Sequence, residues 1–458
     1  MRSSSRTLLI PGIVSLACVL IFCAGPSGDH EWRAGAAAIC ITPEKPIWMA
    51  GYAARTQPSQ GVALDLYAKA LALQDRRGRR MVILTSDLLG FPAELTEAIA
   101  KKISARHGLQ RDEILFTFSH THGGPAIRNS LSIMYATNEQ QSADIEAYAE
   151  GLQPRYVELV GQALAAMRPV QLSFGRGQAD FGVNRRLLQE QGYVIGVNPQ
   201  GPVDHSVPVL KIVNEQGTLT ALLFGYTCHN TTLQGNNYLI HGDYAGVAQK
   251  DLQEKFPGAV ALFMNGFAGD TNPHPRGTLE LAQQHGLSLS AAVQAVLSRP
   301  LQSLHGRLKS HIRYAELPLS TPPTRQELLE KKQDPNKYVR AHAEQLLALL
   351  DKKGKLDPTY HYPIQTIQVG DSLLIVALAG EVLVDYALRL QKEIEQPGRL
   401  WTVGYSNDVF AYVPSRRVLE EGGYEAKDSM IYYGWWPWSL EMEEVLMKSI
   451  HRGIRQVR

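Results

Sequence analysis

The sequence predicts an α/β fold, in which helices flank a mixed, mainly parallel twisted sheet and a functional site lies at the carboxyl ends of the strands. Two observations predict this fold. Short apolar runs alternate along the chain with segments of helical periodicity, and polar residues of catalytic types directly follow several of the apolar runs. A hydrophobic content of 44% with 20% charged residues is normal for a globular enzyme and excludes a chain that is mostly disordered.

The first strand–helix–strand unit lies between residues 81 and 119. "MVILTSD" is typical of a strand, "PAELTEAIAKKISARHG" of a helix and "ILFTFS" of a second strand. Pro92 suits a first helical turn, and Gly108 ends the helix. We therefore predict a βαβ unit with parallel strands. Upstream of it, "DRRGRR" at 75–80 is interpreted as an exposed hairpin turn around Gly78.

The same alternation recurs further along the chain. "ALLFGYTCHN" (221–230) and "AVALFMNGFAGD" (259–270) flank the helical "YAGVAQKDLQEKFPG", and another helix is predicted from Thr278 to Arg299. "DSLLIVALAGE" precedes the helical "VLVDYALRLQKEI", and "LWTVGYSND" repeats the strand pattern. Residues 322–355 are charged and have helical periodicity, which predicts a surface excursion or helical hairpin.

Residues 1–25 have the layout of a secretory signal peptide, because Arg2 and Arg6 precede an apolar run that small residues follow. The run is about 16 residues long, which is short for a membrane span. We therefore predict an exported protein, secreted or periplasmic, with one domain over residues 30–458. Anchoring in a membrane through an uncleaved signal is the less favoured alternative. Loss of the signal lowers the formal charge from +2 to 0, which disfavours a nucleic-acid partner. No protein partner is implied.

Two cysteines, Cys40 and Cys228, remain after removal of the signal. They are compatible with one disulfide or with two buried thiols, and we favour the thiols.

Residues 431–439, "IYYGWWPWS", concentrate five aromatic residues. Core packing is the favoured interpretation, and an apolar rim for an acyl substrate or a membrane interface is the alternative.

Several candidate polar groups follow predicted strands. An H-x-H pair in an extended segment places both imidazoles on one side, and imidazoles with a carboxylate are ordinary ligands of catalytic zinc. Considered alone, an H-x-H pair is more often not a metal site, and Gly-Asp before a turn also serves as a cap. G-x-S-x-G, H-E-x-x-H and Walker motifs are absent from the sequence. The candidate groups are Asp87, His120, His122, His229, Asp270 and Glu381.

Five segments, taken in order, resemble the motifs of the neutral (non-lysosomal) ceramidases. The similarity extends from about Ala34 to the C-terminus. It implies an amidase with one zinc ion per chain, in which zinc-activated water cleaves the amide of an N-acyl lipid into fatty acid and sphingoid base. The segments are "FSHTHGGP" (118–125), "CHNTTL" (228–233), "NGFAGDTNPH" (265–274), "GE" (380–381) and "YVPSRRVLEEGGYEA" (412–426).

The resemblance also implies a set of zinc ligands by motif position. These are His120, His229, Glu381 and the unusual tyrosine ligand Tyr412. With an open position left for water, such a set is suited to hydrolysis.

The remaining matched residues would act on the substrate. His122 would move protons. Arg185 of "NRR" and Tyr424 would donate hydrogen bonds where negative charge develops. Asp270 and Asn272 would lie against the substrate.

The chain departs from the family pattern at one position near the substrate. The family has a serine in its "GD-x-S-P" segment, where this chain has Asn272. Two alternatives to a ceramidase therefore stay open: a zinc hydrolase of another amide or ester, and a non-catalytic binding protein on the same fold. A transient contact with a membrane surface is compatible with a lipid substrate. We also expect this chain to lack the immunoglobulin-like C-terminal domain of the long ceramidases.

Overall fold

The computed structural model describes Met1 and residues 31–458. The predicted signal peptide, apart from Met1, lies outside these residues. Among the described helices, none combines the length and the apolar character that crossing a membrane requires.

The strands of the described chain vary from two to eleven residues in length. They are β1 (Trp32–Cys40), β2 (Gly61–Val62), β3 (Tyr67–Asp75), β4 (Arg80–Ser86), β5 (Ile114–Phe118), β6 (Arg168–Gln178), β7 (Gly182–Gln189), β8 (Gly192–Asn198), β9 (Ser206–Asn214), β10 (Leu219–Tyr226), β11 (Leu239–Ile240), β12 (Val260–Asn265), β13 (Thr271–Pro273), β14 (Gln302–Ser303), β15 (Leu308–Pro318), β16 (Thr359–Val369), β17 (Leu373–Leu378), β18 (Glu381–Val382), β19 (Leu400–Val403) and β20 (Tyr412–Val413).

The helices follow several of these strands. They are α1 (Ala93–His107), α2 (Glu139–Ala165), α3 (Asp243–Lys255), α4 (Leu279–Leu297), α5 (Arg325–Lys331), α6 (Lys337–Lys353), α7 (Val384–Glu393), α8 (Arg416–Glu421), α9 (Met430–Tyr433) and α10 (Met442–Val457). A turn of π-helix at Tyr424–Asp428 follows α8.

Two sheets dominate the fold. The larger has the strand order β12-β10-β9-β6-β1-β3-β4-β5, and the second has the order β15-β16-β17-β19. Three smaller sheets pair β13-β7-β8, β11-β2 and β18-β20. The prediction of an α/β fold with a mixed sheet and flanking helices is confirmed.

The prediction that the sheet is mainly parallel is wrong. In the two larger sheets only the pairs β4/β5, β10/β12 and β17/β19 are parallel, and the remaining neighbours are antiparallel. A parallel pair needs a long crossover, which α1, α3 and α7 supply. Elsewhere the connections include short turns such as the one between Asp75 and Arg80, where Gly78 adopts φ +85°. Such a turn can only join antiparallel strands.

The two larger sheets share one buried core. Leu71 and Leu73 of β3 lie in this core together with Ile367 and Ile375 of the second sheet. Ala72, between the two leucines, instead packs in the core beneath α1 and α2. The other helices cover the large sheet near β10 and the outer face of the second sheet. The result is a helix–sheet–sheet–helix arrangement, and strands covered on both faces are apolar throughout.

The predicted excursion at 322–355 contains α5 and α6, with a break that includes Asp334 and Pro335. In the aromatic segment at 431–439, Trp436 and Trp438 are buried in the core that covers the outer face of the second sheet, as the packing interpretation predicted.

The two cysteines are free thiols rather than a disulfide. Cys228 is buried as expected, but Cys40 is exposed because it ends β1 at the surface.

Candidate metal centre

Three strand ends bring the principal side chains together. His120 and His122 follow β5, His229 follows β10, and Glu381 follows β17. Each of these strands belongs to one of the three parallel pairs. The site is therefore positioned by the few parallel strands of two mainly antiparallel sheets. His120 has a left-handed backbone (φ 61°), and its N–H donates to the carbonyl of Leu88 at 2.9 Å.

His120 and His229 are held in the same way. Nδ1 of His120 lies 2.7 Å from the carbonyl oxygen of Leu89, and Nδ1 of His229 lies 2.7 Å from that of Ala268. A carbonyl oxygen can only accept, so Nδ1 carries the proton in each ring and Nε2 presents a lone pair. A backbone carbonyl bonded to one ring nitrogen is the usual support for a metal-ligating histidine.

The Glu381 carboxylate completes this arrangement. Its Oε2 lies 2.8 Å from Nε2 of His229 and 3.2 Å from Nε2 of His120, and Oε1 accepts a hydrogen bond from the hydroxyl of Tyr433. Three acceptor atoms therefore face one another in a buried space, which only a proton or a cation stabilises. The ligand atoms of tetrahedral zinc lie roughly 3.3 Å apart, given metal–ligand distances of about 2.0–2.1 Å. The donor set thus fits a metal ion.

The pKa values of these groups follow from burial and mutual attraction. Burial raises the pKa of Glu381, but His120 and His229 outweigh it and hold this pKa well below its ordinary value. Burial and the nearby Arg185 lower the pKa of His229 to about 4. An ionised Glu381 and a neutral His229 are the protonation states in which these two groups bind a divalent cation.

His122 lies close to both of the other histidines, with its ring centroid 5.1 Å from that of His120 and 6.1 Å from that of His229. Candidate ligand atoms of His120, His122 and His229 all lie within 4.8 Å of one another, so these three histidines could hold a metal ion. Both ring nitrogens of His122 are buried without a hydrogen-bond partner among the described residues. Burial and the two neighbouring histidines hold its pKa well below the ordinary value. The His122 ring packs on Tyr52 at 4.8 Å between centroids.

A glycine makes room for this ring. Gly51 has φ +90°, and a Cβ added there would lie 2.2 Å from Nδ1 of His122. Any other residue at position 51 would have to displace the imidazole.

Tyr412 lies next to Glu381, its partner in the parallel pair β18/β20. Its ring stacks at 6.4 Å on that of His229, and its hydroxyl accepts a hydrogen bond of 2.9 Å from Nη2 of Arg185. Burial raises the pKa of Tyr412 well above its ordinary value in the absence of a metal ion.

Arg185 on β7 brings a positive charge to the centre. Its Nε donates to Oε1 of Glu425 at 2.7 Å, and its Nη1 lies 3.4 Å from both Oδ1 of Asn272 and Nε2 of His229. Burial lowers its pKa, but Tyr412 and Glu425 outweigh this effect and keep the guanidinium charged. The site therefore favours negative charge that develops beside it.

Tyr424 begins the π-helical turn after α8. Its ring lies 5.6 Å from that of Tyr412 and 5.9 Å from the guanidinium carbon of Arg185. Burial raises the pKa of Tyr424 above its ordinary value, so its hydroxyl remains a hydrogen-bond donor.

The two other candidate carboxylates bind within the fold. Asp270 accepts hydrogen bonds of 3.0 Å from the N–H of Val384 and from the amide of Asn184, and burial raises its pKa to about 7. Asp87 accepts from Gln249 and from the N–H of Tyr67. Both carboxylates therefore connect structural elements, and neither has a hydrogen bond to the histidines.

Sequence reasoning did not single out several residues that contact this site. Tyr52 packs on His122 and Tyr405 stacks on His120 at 4.3 Å between centroids, and Glu425 and Tyr433 make polar contacts. Glu425 bridges Arg185 and Arg186, whose Nη1 donates to its Oε2 at 2.7 Å. Glu425 directly follows Tyr424 in the motif "GGYEA", so the prediction that Tyr424 lies in the site could also have indicated Glu425. Tyr433 donates to Glu381. Tyr433 lies in a segment of five aromatic residues that was expected to pack in the core, and no local pattern indicated that its hydroxyl would contact Glu381.

Fold and site together define an α/β protein with a buried histidine–carboxylate centre that could hold a metal ion. The chain belongs to the neutral/alkaline non-lysosomal ceramidase family, since the model of that family's N-terminal region matches residues 32–295. The resemblance found in the motifs is thereby confirmed.

Several known proteins are similar to this chain. The neutral ceramidase of Pseudomonas aeruginosa is 25% identical over 332 residues, which are 66% of this chain and 47% of that protein. The Drosophila melanogaster neutral ceramidase is 24% identical over 60% of this chain and 40% of its own length. This chain thus spans less than half the length of these relatives. The crystal structure of the Pseudomonas aeruginosa neutral ceramidase has a TM-score of 0.70 at 19% identity and covers 94% of this chain and 76% of that one, which shows the shared fold.

Proposed function

We propose that this chain is an exported, zinc-dependent amidohydrolase that cleaves ceramide-like N-acyl lipids into fatty acid and sphingoid base. Membership of the ceramidase family supports the reaction class. The observation that carries the proposal is the convergence of two Nε2 atoms on one carboxylate oxygen, with the charged Arg185 beside them.

In this proposal His120, His229, Glu381 and Tyr412 hold the zinc ion. A zinc ion bound there would polarise the amide carbonyl and lower the pKa of the attacking water towards 7. The protein keeps its ligands in place before the ion binds, because Nδ1 of each histidine is fixed to a backbone carbonyl. Such support typically determines metal affinity as well as ligand orientation.

The proposed substrate-facing groups lie around these ligands. Arg185 is charged and Tyr424 is a neutral donor, so both can stabilise an oxyanion formed from the amide carbonyl. His122 has unpaired ring nitrogens, and a neutral imidazole can take a proton from the nucleophile and pass it to the leaving amine. Asp270 would act indirectly, since its backbone carbonyl accepts from the N–H of Arg185 at 2.8 Å.

The direct test uses the purified full chain with ceramide and a panel of N-acyl amino acids. We expect fatty-acid release from ceramide, and about one zinc ion per chain by mass spectrometry. As a control, His361→Ala removes an exposed histidine outside the centre and should leave fatty-acid release and zinc content unchanged. Bound metal without release of fatty acid from any N-acyl amide would indicate a non-catalytic binding protein instead.

One observation favours a second candidate, a zinc hydrolase of a different amide or ester. By motif position Asn272 replaces the serine that the resemblance implies, and its Oδ1 lies 3.2 Å from Oγ1 of Thr231 and 3.4 Å from Nη1 of Arg185. The larger asparagine leaves less room beside the arginine. Asn272→Ser should raise activity on ceramide relative to N-acyl amino acids. An unchanged ratio would remove this argument for a different substrate.

A further inference from the structure

The exposed apolar side chains of the protein are unevenly distributed. Among the described residues, ten large hydrophobic side chains are exposed, and four of them lie within one β-hairpin. Leu188 on β7 is 62% exposed, and Val194, Ile195 and Val197 on β8 are 37%, 44% and 43% exposed. We call these four residues the apolar ribbon. An apolar cluster at the surface generally marks a binding surface, whereas single exposed residues do not.

Strand register arranges the ribbon. Arg186 pairs with Ile195 and Leu188 pairs with Tyr193. Because side chains alternate along a strand, Leu188 and Ile195 share one face of the hairpin, and Val194 lies on the other. Val197 lies in a β-bulge of β8, where Gly196 and Val197 stand opposite Arg185.

The hairpin that carries the ribbon also reaches the metal centre. β7 carries Arg185, which contacts Tyr412 and Glu425 and lies on the opposite face of the strand from Leu188. The face that presents Leu188 also presents Arg186, whose guanidinium lies 4.8 Å from the Tyr193 ring and is paired with Glu425. The ribbon and one of the residues proposed to act on the substrate therefore belong to the same β-hairpin.

The area and the charge of the ribbon identify its partner. Four side chains exposed to these fractions present on the order of 300 Å², whereas a stable protein–protein interface buries roughly 800 Å² on each partner. The ribbon is too small to form a dimer by itself. Within the hairpin, both arginines are buried and Glu190 is exposed, so the exposed charge of the hairpin is not cationic. Anionic lipid is thus disfavoured as the main attraction.

We infer that the apolar ribbon inserts into the surface of an uncharged or zwitterionic lipid layer and places the metal centre next to lipid. The inference rests on the proposed function in one respect, because an enzyme that cleaves a lipid amide needs access to a lipid layer. Its test does not depend on catalysis.

The experiment measures sedimentation of the full chain with phosphatidylcholine vesicles. The variant Leu188→Thr/Ile195→Thr/Val197→Thr keeps side chains that suit strands and removes apolar surface. We expect its vesicle partition coefficient to fall at least about tenfold, because interfacial binding scales with buried apolar area. Turnover of a water-soluble short-chain amide should stay within about twofold of wild type. The matched control Leu287→Thr/Leu329→Thr removes comparably exposed leucines elsewhere and should partition like wild type.

A second measurement covers the case in which the ribbon variant misfolds. In a Cys40→Ser background, Leu188→Cys carries an environment-sensitive fluorophore, and Leu329→Cys carries it as the control. We expect vesicles to shift the emission to the blue at position 188 only.

Other outcomes would overturn the inference. They are wild-type protein that never sediments with vesicles, a ribbon variant that partitions like wild type, equal shifts at the two labelled positions, or a wild-type dimer that the ribbon variant abolishes. Vesicle binding through the ribbon without fatty-acid release would contradict the proposed function alone.

Discussion

The two halves of the molecule contribute different chemistry to the centre. Residues 32–295, which the family model matches, supply imidazoles at the ends of strands of the large sheet and a guanidinium from β7. Residues 300–458 supply the Glu381 carboxylate and the tyrosines from the second sheet and the segments after it. In the proposed ligand set, His120 and His229 come from the first half and Glu381 and Tyr412 from the second. If this set is correct, metal binding should stabilise the packing of the two sheets.

Removing one ligand from each half tests this division most strongly. We expect His120→Ala and Glu381→Ala to abolish both metal content and turnover, a loss greater than the roughly 10–100-fold that a supporting residue costs. Metal analysis and fatty-acid release measure the two effects. His122→Ala sharpens the comparison, since it should retain the metal. If His122→Ala loses the ion and Glu381→Ala keeps it, the three histidines of the first half bind the metal without the second half.

Tyr424→Phe tests whether the second half also acts in the reaction itself. Loss of one donor to the oxyanion should lower turnover by roughly 10²–10³-fold while the metal remains bound. Steady-state kinetics and metal content should be measured on the same sample. Loss of the metal in this variant would instead make Tyr424 part of the metal-binding set.

Tyr433→Phe tests how the second half orients its carboxylate. The Tyr433 hydroxyl donates to the oxygen of Glu381 that does not face the histidines. Its loss should weaken metal affinity about 10–100-fold, as for other residues that support a ligand. Competition with a chelator measures the affinity without any substrate. The matched control is Tyr432→Phe, which removes the hydroxyl of the neighbouring tyrosine, whose ring packs against Tyr338. Equal affinities in the two variants would exclude an orienting role for Tyr433.

The halves also differ in how well the sequence predicts them. Strands and helices were predictable where periodicity is strong and capping is clear, as in α1, which ends at Gly108 in the left-handed conformation. His120 and His229 stand at the ends of apolar runs, so their convergence followed from βαβ units. The contact of Tyr433 with Glu381 spans 52 residues and depends on how α9 packs, which no local pattern encodes. The prediction of a mainly parallel sheet was wrong because no local sequence pattern specifies how strands far apart in the chain pair with one another.

Asp408 tests the contact between the halves away from the metal, with the smallest expected effect. Its carboxylate accepts from the N–H of Ala93 in the first half and from the Tyr360 hydroxyl in the second. Burial raises its pKa to about 7. Since an unfolded aspartate has a pKa of about 3.9, the folded state binds the extra proton between about pH 4 and 7. The free energy of unfolding should therefore fall as the pH rises through this window, by up to about 1.4 kcal/mol per pH unit.

Asp408→Asn should remove this contribution. The amide oxygen can still accept from Ala93, and its NH₂ group can donate to the Tyr360 oxygen. Urea unfolding at several pH values should show the variant gaining stability relative to wild type as the pH rises from 4 to 7. Asp112→Asn, which changes a more exposed carboxylate paired with Arg79, is the matched control. A constant difference between Asp408→Asn and wild type would mean that Asp408 is already ionised in the folded protein. The contact between the halves would then rest on an ionised carboxylate at neutral pH rather than on a shared proton.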